Sequence, residues 1–492
     1  MTKKRFSLVD RDFVRAEQGG LYKWIVLLIT SIGAFMAPLD STIVSVSLPS
    51  IAEGLKMGYE AVIWVPTSYL VALTVLLLSL GRLSDSRGRK PIFVSGFAIF
   101  AVASFLCGNA SSGPELILFR VIEGAGAAFI GATSTAIVTD TFPASERGKA
   151  LGINSMSTYV GLSVGPSLGG FLTFAYGWRS IFYVNVPIGL LVIVLALIKL
   201  KEPPIVGSKK GLDLLGAGTF SAGLVAVLVG LTLGDFLGWE TPFIIGLLTA
   251  GGLLLISFAA IERGRKTKAM LDLSLFTGNR LFAAANLSAL LNYTSFFGVS
   301  FFISFYLQRI LGYDVLRAGL VLLVMPVSMA LLSPVSGWLS DRFGSRGFSS
   351  LGMALITSGL LVMSTLGLSS PLTQVILGLL VIGVGMGLFS SPNTSAVMGS
   401  VERDRLGVAS GTLATMRFSG QSLSLALMGA VVASAASAGL LSSLFIGVAI
   451  PQLNVAAESF VEGMRRAFIV SAVIATVGFF TCIQRGSMRK GG

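Results

Sequence analysis

The sequence predicts an all-α polytopic membrane protein: two six-helix bundles with two further helices inserted between them, fourteen transmembrane helices in all, and both termini cytoplasmic. Three observations predict it. The chain of 492 residues is 53% hydrophobic and 12% charged, with a mean hydropathy of +0.84, whereas a soluble domain carries about 25% charged residues. Its Lys and Arg fall on alternate connections between apolar runs. One ten-residue string, Gly81-Arg82-Leu83-Ser84-Asp85-Ser86-Arg87-Gly88-Arg89-Lys90, returns as Gly337-Trp338-Leu339-Ser340-Asp341-Arg342-Phe343-Gly344-Ser345-Arg346, with Gly, Leu, Ser, Asp and Gly at the same places.

A span takes about 20 apolar residues at about 1.5 Å each. Such runs cover 24–48, 61–81, 91–109, 114–138, 149–172, 179–200, 212–233, 241–261, 281–306, 316–339, 347–368, 373–396, 406–432 and 466–483. They divide the chain into a cytoplasmic segment 1–23, an N-terminal bundle 24–200, a linker with two inserted helices 201–270, a C-terminal bundle 271–483 and a cytoplasmic tail 484–492. With the N-terminus inside, 28 of the 36 Lys and Arg lie on inner connections, six (Lys56, Arg179, Arg309, Arg317, Arg465, Arg466) on outer ones, and Arg120 and Arg417 within spans. That split is the positive-inside bias, and it accounts for the net charge of +13 without nucleic acid as a partner. The segment 433–465 reads as an outer loop. Gly439 to Ile450 is apolar but too short to cross, and a crossing there would carry Arg485, Arg489 and Lys490 outside, so an outer helix or re-entrant piece is expected.

Each copy of the repeated string is a charged turn between two apolar runs, after the second and the tenth span. A six-plus-six duplication places the copies at spans two and eight, so two helices are inserted between the halves. Internally duplicated membrane chains of this kind are transporters with a substrate site between the repeats.

Several residues stand out against the apolar background. Asp40 lies about 25 Å along the first span from Lys23, in the outer third, where a carboxylate costs several kcal/mol unless it has a partner or a cavity. Arg120 and Glu123 lie about 8 and 12 Å into the fourth span from the same side, on one helix face, and are the expected partners. In the repeated turn, Gly81 and Gly88 permit close approach and a tight bend, while Asp85, Arg89 and Asp341 can pair or meet a helix terminus; this reads as a conformational latch. Gly161, Gly165, Gly169 and Gly170 form a small-residue stripe with Pro166 within it, suited to tight helix packing and a bend. Asn292, Tyr293 and Phe296 in the ninth span and Arg417 and Gln421 in the thirteenth lie near mid-membrane, and aromatics with a few polar groups suit an apolar substrate. Phe297, Phe301, Phe302 and Phe305 run beside them.

These strings, in order, resemble the major facilitator superfamily and, within it, the fourteen-helix drug:proton antiporter branch of the EmrB/QacA type. The first-helix motif is matched by Leu39-Asp40-Ser41-Thr42-Ile43-Val44 with Leu48-Pro49, the cytoplasmic-loop motif by Gly81–Lys90, and the fourth-helix motif by Arg120-Val121-Ile122-Glu123-Gly124-Ala125-Gly126. The antiporter motif is matched by Gly161, Gly165-Pro166 and Gly169-Gly170, and a further string by Trp178-Arg179 with Asn185-Val186-Pro187-Ile188-Gly189. The resemblance implies proton coupling at Arg120, gating at Asp85, and a seal against proton leak along the fifth helix. It does not extend to Glu123, where the motif usually has Gln.

Together these readings point to a proton-coupled antiporter that exports hydrophobic, cationic drugs or toxic compounds by alternating access. The alternatives are export of a lipid or lipid-like metabolite and, with less support, proton-coupled uptake of a solute. The chain has no His and no Walker A string, so no cofactor, metal site or ATP drive is expected, and the proton gradient supplies the energy. An enzyme is not expected. Cys107 and Cys482 are the only cysteines and are expected near opposite faces, too far apart to form a disulfide. Protons, small substrates and the lipid bilayer of a prokaryotic plasma membrane are the expected partners, with the monomer as functional unit.

Overall fold

In the computed structural model, the described residues are 20–143, 146–202, 214–265, 273–401, 406–435, 438–446 and 453–485; within them, some side chains, including those of Asp85 and Asp341, lie outside the description. Among these residues every regular element is helical. The first half comprises α1 (Gly20–Leu55), α2 (Tyr59–Arg87), α3 (Arg89–Gly108), α4 (Gly113–Thr141), α5 (Arg147–Tyr176), the single turn α6 (Ser180–Tyr183) and α7 (Asn185–Lys199). An antiparallel pair follows, α8 (Leu214–Leu237) and α9 (Pro242–Arg265). The second half holds α10 (Leu273–Gly278), α11 (Arg280–Phe296), α12 (Val299–Phe305) with a π-helical turn (Tyr306–Ile310), α13 (Val315–Leu322), α14 (Val324–Phe343), α15 (Ser345–Met363), α16 (Leu372–Gly399), α17 (Leu406–Ala433), α18 (Ala438–Ile446) and α19 (Leu453–Gln484).

The same helix pairings build both halves. α1 lies along α5, α2 and α3 flank α4, and α3 meets α7; α11 lies along α17, α14 and α15 flank α16, and α15 meets α19. The halves touch through α5 with α13 and α14, α1 with α12, and α2 with α17, while α8 covers α2 and α17 from outside. Successive helices alternate in direction, which gives the molecule two end faces. One carries Gly20, Arg87, Arg89, Arg147 and Lys199 and is called the basic face; the other carries Leu55, Tyr59, Gly108 and Gly113 and is called the opposite face.

Among the described residues, twelve helical segments are long and apolar enough to cross a membrane, where fourteen spans are expected from the sequence. The two expected spans outside that set are α5 and α17, of 30 and 28 residues and rich in Gly and Ser. The last helix also differs: it begins at Leu453 rather than near 466. Its first turns are charged, but Glu462 pairs with Arg465 at 3.4 Å and with Arg466 at 3.0 Å along the helix, and Phe460, Val461 and Met464 are buried. The helix therefore continues beyond its apolar stretch, and only α18 and its flanks remain between α17 and α19.

Both copies of the repeated turn share one backbone. Gly88 and Gly344 have φ of 99° and 89°, a region that favours glycine. The Gly88 amide donates to the Ser84 carbonyl at 3.0 Å and the Gly344 amide to the Ser340 carbonyl at 2.8 Å. The Ser84 and Ser340 hydroxyls each reach back to the carbonyl three residues earlier, Gly81 and Gly337, at 2.7 and 2.8 Å.

Candidate functional site

Five helices of the first half converge on one buried polar cluster. Pro38 has no N–H for the Ala34 carbonyl, and Thr158 Oγ1 of α5 donates to that carbonyl instead, at 3.2 Å. Asp40 follows two residues later. Arg120 Nη1, from α4, donates to Asp40 Oδ2 at 2.6 Å and to Glu123 Oε2 at 2.7 Å, and its Nε donates to the Val65 carbonyl of α2 at 3.3 Å. All three charged side chains have 0% exposure. The Tyr69 ring lies 4.2 Å from the guanidinium carbon and the Phe182 ring 5.9 Å from it. Ser104 of α3 donates a short hydrogen bond to Glu123 Oε1, and the Cys107 thiol lies 3.4 Å from Glu123 Oε2. Asn185 Nδ2, the first residue of α7, donates to Asp40 Oδ1 at 3.1 Å. Arg120 Nη2 and Asn185 Oδ1 are buried without a hydrogen-bond partner.

A buried guanidinium with two carboxylates carries one excess negative charge when both acids are ionised, and one proton neutralises it. Burial in a low dielectric makes such an imbalance costly. The arrangement is therefore suited to taking up and releasing a cation.

The glycine stripe of α5 meets α1 beside this cluster. A Cβ on Gly161 would strike the Phe35 carbonyl, and one on Gly165 would strike the Thr42 side chain and lie 3.1 Å from the Ile43 amide; Gly169 abuts the Ile43 carbonyl. Pro166 and Gly170 face the other half: a Cβ on Gly170 would come within 2.9 Å of the Val315 carbonyl, and one on Gly319 within 2.5 Å of the Pro166 carbonyl. One helix thus touches the backbone of the Asp40 helix on one side and that of the second half on the other.

At the basic face, the first copy of the turn is tied within its own half. Arg89 Nη1 donates to the Ala136 carbonyl at 2.7 Å and pairs with Asp140. The backbone amides of Arg89 and Lys90 both donate to the Glu202 carboxylate at 2.9 Å, a carboxylate at a helix N-terminus. Lys90 Nζ donates to the Leu197 and Leu200 carbonyls at the end of α7. In the second copy, Arg485 takes the corresponding place, donating to the Ser345 carbonyl and, at 3.0 Å, to Asn393 Oδ1. Burial holds its guanidinium below the usual arginine value, and nearby Arg346 acts in the same direction, against the opposing influence of Cys482.

In the second half, Arg417 Nη2 donates to Thr394 Oγ1 at 2.8 Å and stands 5.8 Å from the Tyr293 ring, which leans on Phe296 at 5.4 Å. Gln421, one turn along, is buried. Asn292 is buried and reaches Met353 Sδ at 3.2 Å rather than this group.

Phe301, Phe302 and Phe305 belong elsewhere. They build an aromatic plug at the opposite face with Phe445 of α18, Phe460 of α19 and Tyr59 of α2; Phe305 stacks on Phe445 at 4.0 Å, and Tyr59 meets it edge-on at 4.9 Å. Polar contacts close the same face between the halves. The Tyr59 hydroxyl donates to the Gly429 carbonyl at 2.6 Å, Gln308 Nε2 to the Val46 carbonyl at 2.9 Å, and Arg309 Nη2 to the Pro49 carbonyl and Glu53 at 3.0 and 2.9 Å.

The structure thus brings Asp40, Arg120 and Glu123 together, and Arg417 with Tyr293. Sequence reasoning missed Asn185, Ser104 and Tyr69 as neighbours of the charged group, and Gln308 and Arg309 as closures. A signal existed for Asn185, an amide inside an otherwise apolar run, and for Arg309, one of the few cations on the connections expected outside from the sequence.

The profile of the Major Facilitator Superfamily matches residues 30–213 and 208–425. The riboflavin transporter RibZ of Clostridioides difficile (strain 630) is 34% identical over 80% of this chain and 85% of its own length. The multidrug resistance protein Stp of Mycobacterium tuberculosis is 32% identical over 92% and 90%. The tetracenomycin C resistance and export protein of Streptomyces glaucescens is 32% identical over 84% and 76%. Among solved structures, a bacterial homologue of the human lysosomal transporter Spinster, inward-facing and unoccupied, superposes with a TM-score of 0.67 at 17% identity over 95% of this chain and 97% of that one.

Proposed function

Because the chain belongs to the Major Facilitator Superfamily and is therefore a multi-pass membrane transporter of small molecules rather than an enzyme, we propose that it is a proton-coupled antiporter exporting hydrophobic, cationic compounds. The observation that carries this reading is the buried Asp40–Arg120–Glu123 group, with one cation for two carboxylates. A cationic substrate brought near this group and a proton on it would relieve the same excess charge, so each would disfavour the other, which is the condition for exchange. The exporters among its relatives support the same direction.

In this reading the basic face is cytoplasmic, as loop charge demands, and the membrane is the plasma membrane of a prokaryote. α5 and α17 complete a fourteen-helix arrangement. The opposite face is the outer gate, closed here by the aromatic plug and Arg309, while the repeated turn acts as the inner latch. Substrate enters from the cytoplasm toward Tyr293, Phe296, Arg417 and Gln421. The monomer is the working unit, with no cofactor beyond the proton gradient. One pH unit is worth about 1.4 kcal/mol, so exchange of one proton for a univalent cation, in which the membrane-potential contributions cancel, supports roughly tenfold accumulation, and a second proton per cycle would add both the pH and the potential contributions.

The riboflavin transporter among the relatives favours a second reading, movement of a planar ring-containing metabolite. Both are tested in proteoliposomes with a lumenal pH dye. Ethidium or riboflavin is added outside to wild type, Asp40→Asn and Glu123→Gln. Alkalinisation of the lumen on ethidium addition, lost in Asp40→Asn, supports antiport. Acidification on riboflavin addition supports symport of the metabolite and removes the antiport reading.

A further inference from the structure

Asp40 is held by two side chains of different chemical capacity. Arg120 donates to Oδ2 and Asn185 to Oδ1. A guanidinium has donors only, whereas an amide has both donor and acceptor. In the arrangement seen, the amide nitrogen of Asn185 faces the carboxylate, and its oxygen is buried with no partner. Leaving such an atom unpaired is costly, and each such case calls for a physical reason. When Asp40 takes a proton, its new O–H needs an acceptor. Of the two side chains bonded to Asp40, only Asn185 offers one, and a half-turn about its Cβ–Cγ bond brings it there.

We propose that Asn185 is a positioning residue that follows the protonation state of Asp40, donating to the carboxylate and, after turning its amide, accepting from the carboxylic acid. The proton stays on Asp40 throughout; only the hydrogen-bond direction reverses. The inference rests on the proton-coupled reading above and deepens it. The other titratable and charged groups around the cluster are Glu123 and Arg120 from α4, Tyr69 from α2 and Cys107 from α3, while α5 meets α1 there through Gly161 and Gly165.

The position of Asn185 suits the role. It is the first residue of α7, after the one-turn α6 and Val184. The strand of chain before it is pinned by Arg179 Nη2 on the Ala110 carbonyl at 3.0 Å and by the Arg179 guanidinium over the Trp178 ring at 4.2 Å. The chain before α7 is thus anchored, and exchanging the amide's nitrogen and oxygen requires only a turn about Cβ–Cγ, not a movement of α7.

The test is a double-mutant cycle on the full-length protein, reading ethidium binding by fluorescence across pH. Asn185→Leu is nearly isosteric and can neither donate nor accept. It removes a bond from both states, but the bond to the charged carboxylate is the stronger. It is therefore expected to raise the pH midpoint of ethidium binding by up to about one unit, a tenfold change in proton affinity, and to change nothing further in an Asp40→Asn background. It is also expected to shift the infrared C=O band of protonated Asp40, whose O–H loses its acceptor; an unchanged band overturns the turning of the amide. Asn185→Ala is expected to behave alike and serves if the Leu variant does not fold. An unchanged midpoint in these variants, or an equal loss of ethidium affinity with and without Asp40, overturns the proposal. An Asp40→Asn protein that keeps the wild-type pH profile overturns the proton-coupled reading itself, and the inference falls with it.

Discussion

Arg120 and Asp40 meet at 2.6 Å with no solvent exposure of either side chain. They lie 80 positions apart in the chain, on α4 and α1, and the same Nη1 also serves Glu123. One guanidinium nitrogen therefore holds two acids together that would otherwise repel. Removing a partner from such a pair leaves uncompensated buried charge and costs about 3–5 kcal/mol. Arg120→Leu is expected to lower the denaturation midpoint of the purified protein accordingly. The triple variant with Asp40→Asn and Glu123→Gln is expected to regain most of the loss, because the stranded charge has been removed. A single variant as stable as wild type would show that the guanidinium does not hold these acids.

Glu123 is the second acid on the same guanidinium nitrogen. Its carboxylate accepts from Ser104, Cys107 and Arg120. Glu123→Gln preserves shape and removes one negative charge, leaving one acid for one guanidinium. The variant is expected to fold and bind ethidium, while the number of protons released per substrate falls and the net charge moved per substrate changes with it. Solid-supported-membrane currents measure this directly. Identical currents and an identical pH profile would leave Glu123 with a structural part only.

Much of this group is legible in the sequence because hydrocarbon makes charge conspicuous. Asp40, Arg120 and Glu123 are carried by apolar helices, and an approximate depth count places all three in one third of the membrane. Loop charge and the duplicated turn are legible for the same reason: few residues carry them, and their spacing is regular. The aromatic plug is not legible, since Phe301 and Phe305 facing Phe445 read the same as phenylalanines facing lipid. Nor is the start of α19, where Glu462, Arg465 and Arg466 satisfy one another along the helix. Asn185 stands out only as part of a string, and its bond to Asp40 depends on the break between α6 and α7, which apolar periodicity does not reveal.

Gly165 and Gly152 lie on the same helix in opposite situations. A Cβ on Gly165 would drive into Thr42 and Ile43, while one on Gly152 would meet nothing within 4 Å. Gly165→Val is expected to cost about 1–3 kcal/mol through overpacking and to abolish transport by pushing α5 off the Asp40 helix. Gly152→Ala is expected to be neutral or to stabilise by up to about 1 kcal/mol through helix propensity. Thermal melts with ethidium efflux check both. Retained efflux in Gly165→Val would show that this contact is not required.

The two turn glycines provide a similar comparison between repeats. Gly88 and Gly344 share a positive φ, so alanine is strained at either, by about 1–3 kcal/mol. At Gly88 the added Cβ would also strike Glu202 Oε1, whereas at Gly344 it would meet nothing within 4 Å. Gly88→Ala is therefore expected to destabilise more than Gly344→Ala, because it also displaces the carboxylate that accepts from the Arg89 and Lys90 amides. In Glu202→Gln the difference is expected to narrow. Equal effects in the parent protein would mean that Glu202 gives way without cost.

Arg309 closes the opposite face from a π-helical turn, reaching the Pro49 carbonyl and Glu53 across the boundary between halves. The exposed ion pair alone is worth about 0–1 kcal/mol, because Glu53 is 63% exposed. The bonds to backbone, with Gln308 on the Val46 carbonyl, hold the tip of α1 against the second half and cover the plug of Phe305 and Phe445. Arg309→Ala is expected to leave stability within about 1 kcal/mol but to shift the population toward an arrangement open at this face. A cysteine placed at Ser304, whose hydroxyl now bonds the Val46 carbonyl at 3.3 Å, reports the opening; the native Cys107 and Cys482 are free thiols and buried, and are replaced by Ala for the assay. Faster maleimide labelling of that cysteine in Arg309→Ala, with Glu53→Gln giving a smaller increase, is the expected pattern. Equal labelling rates with and without Arg309 would mean that the aromatic plug alone keeps this face shut.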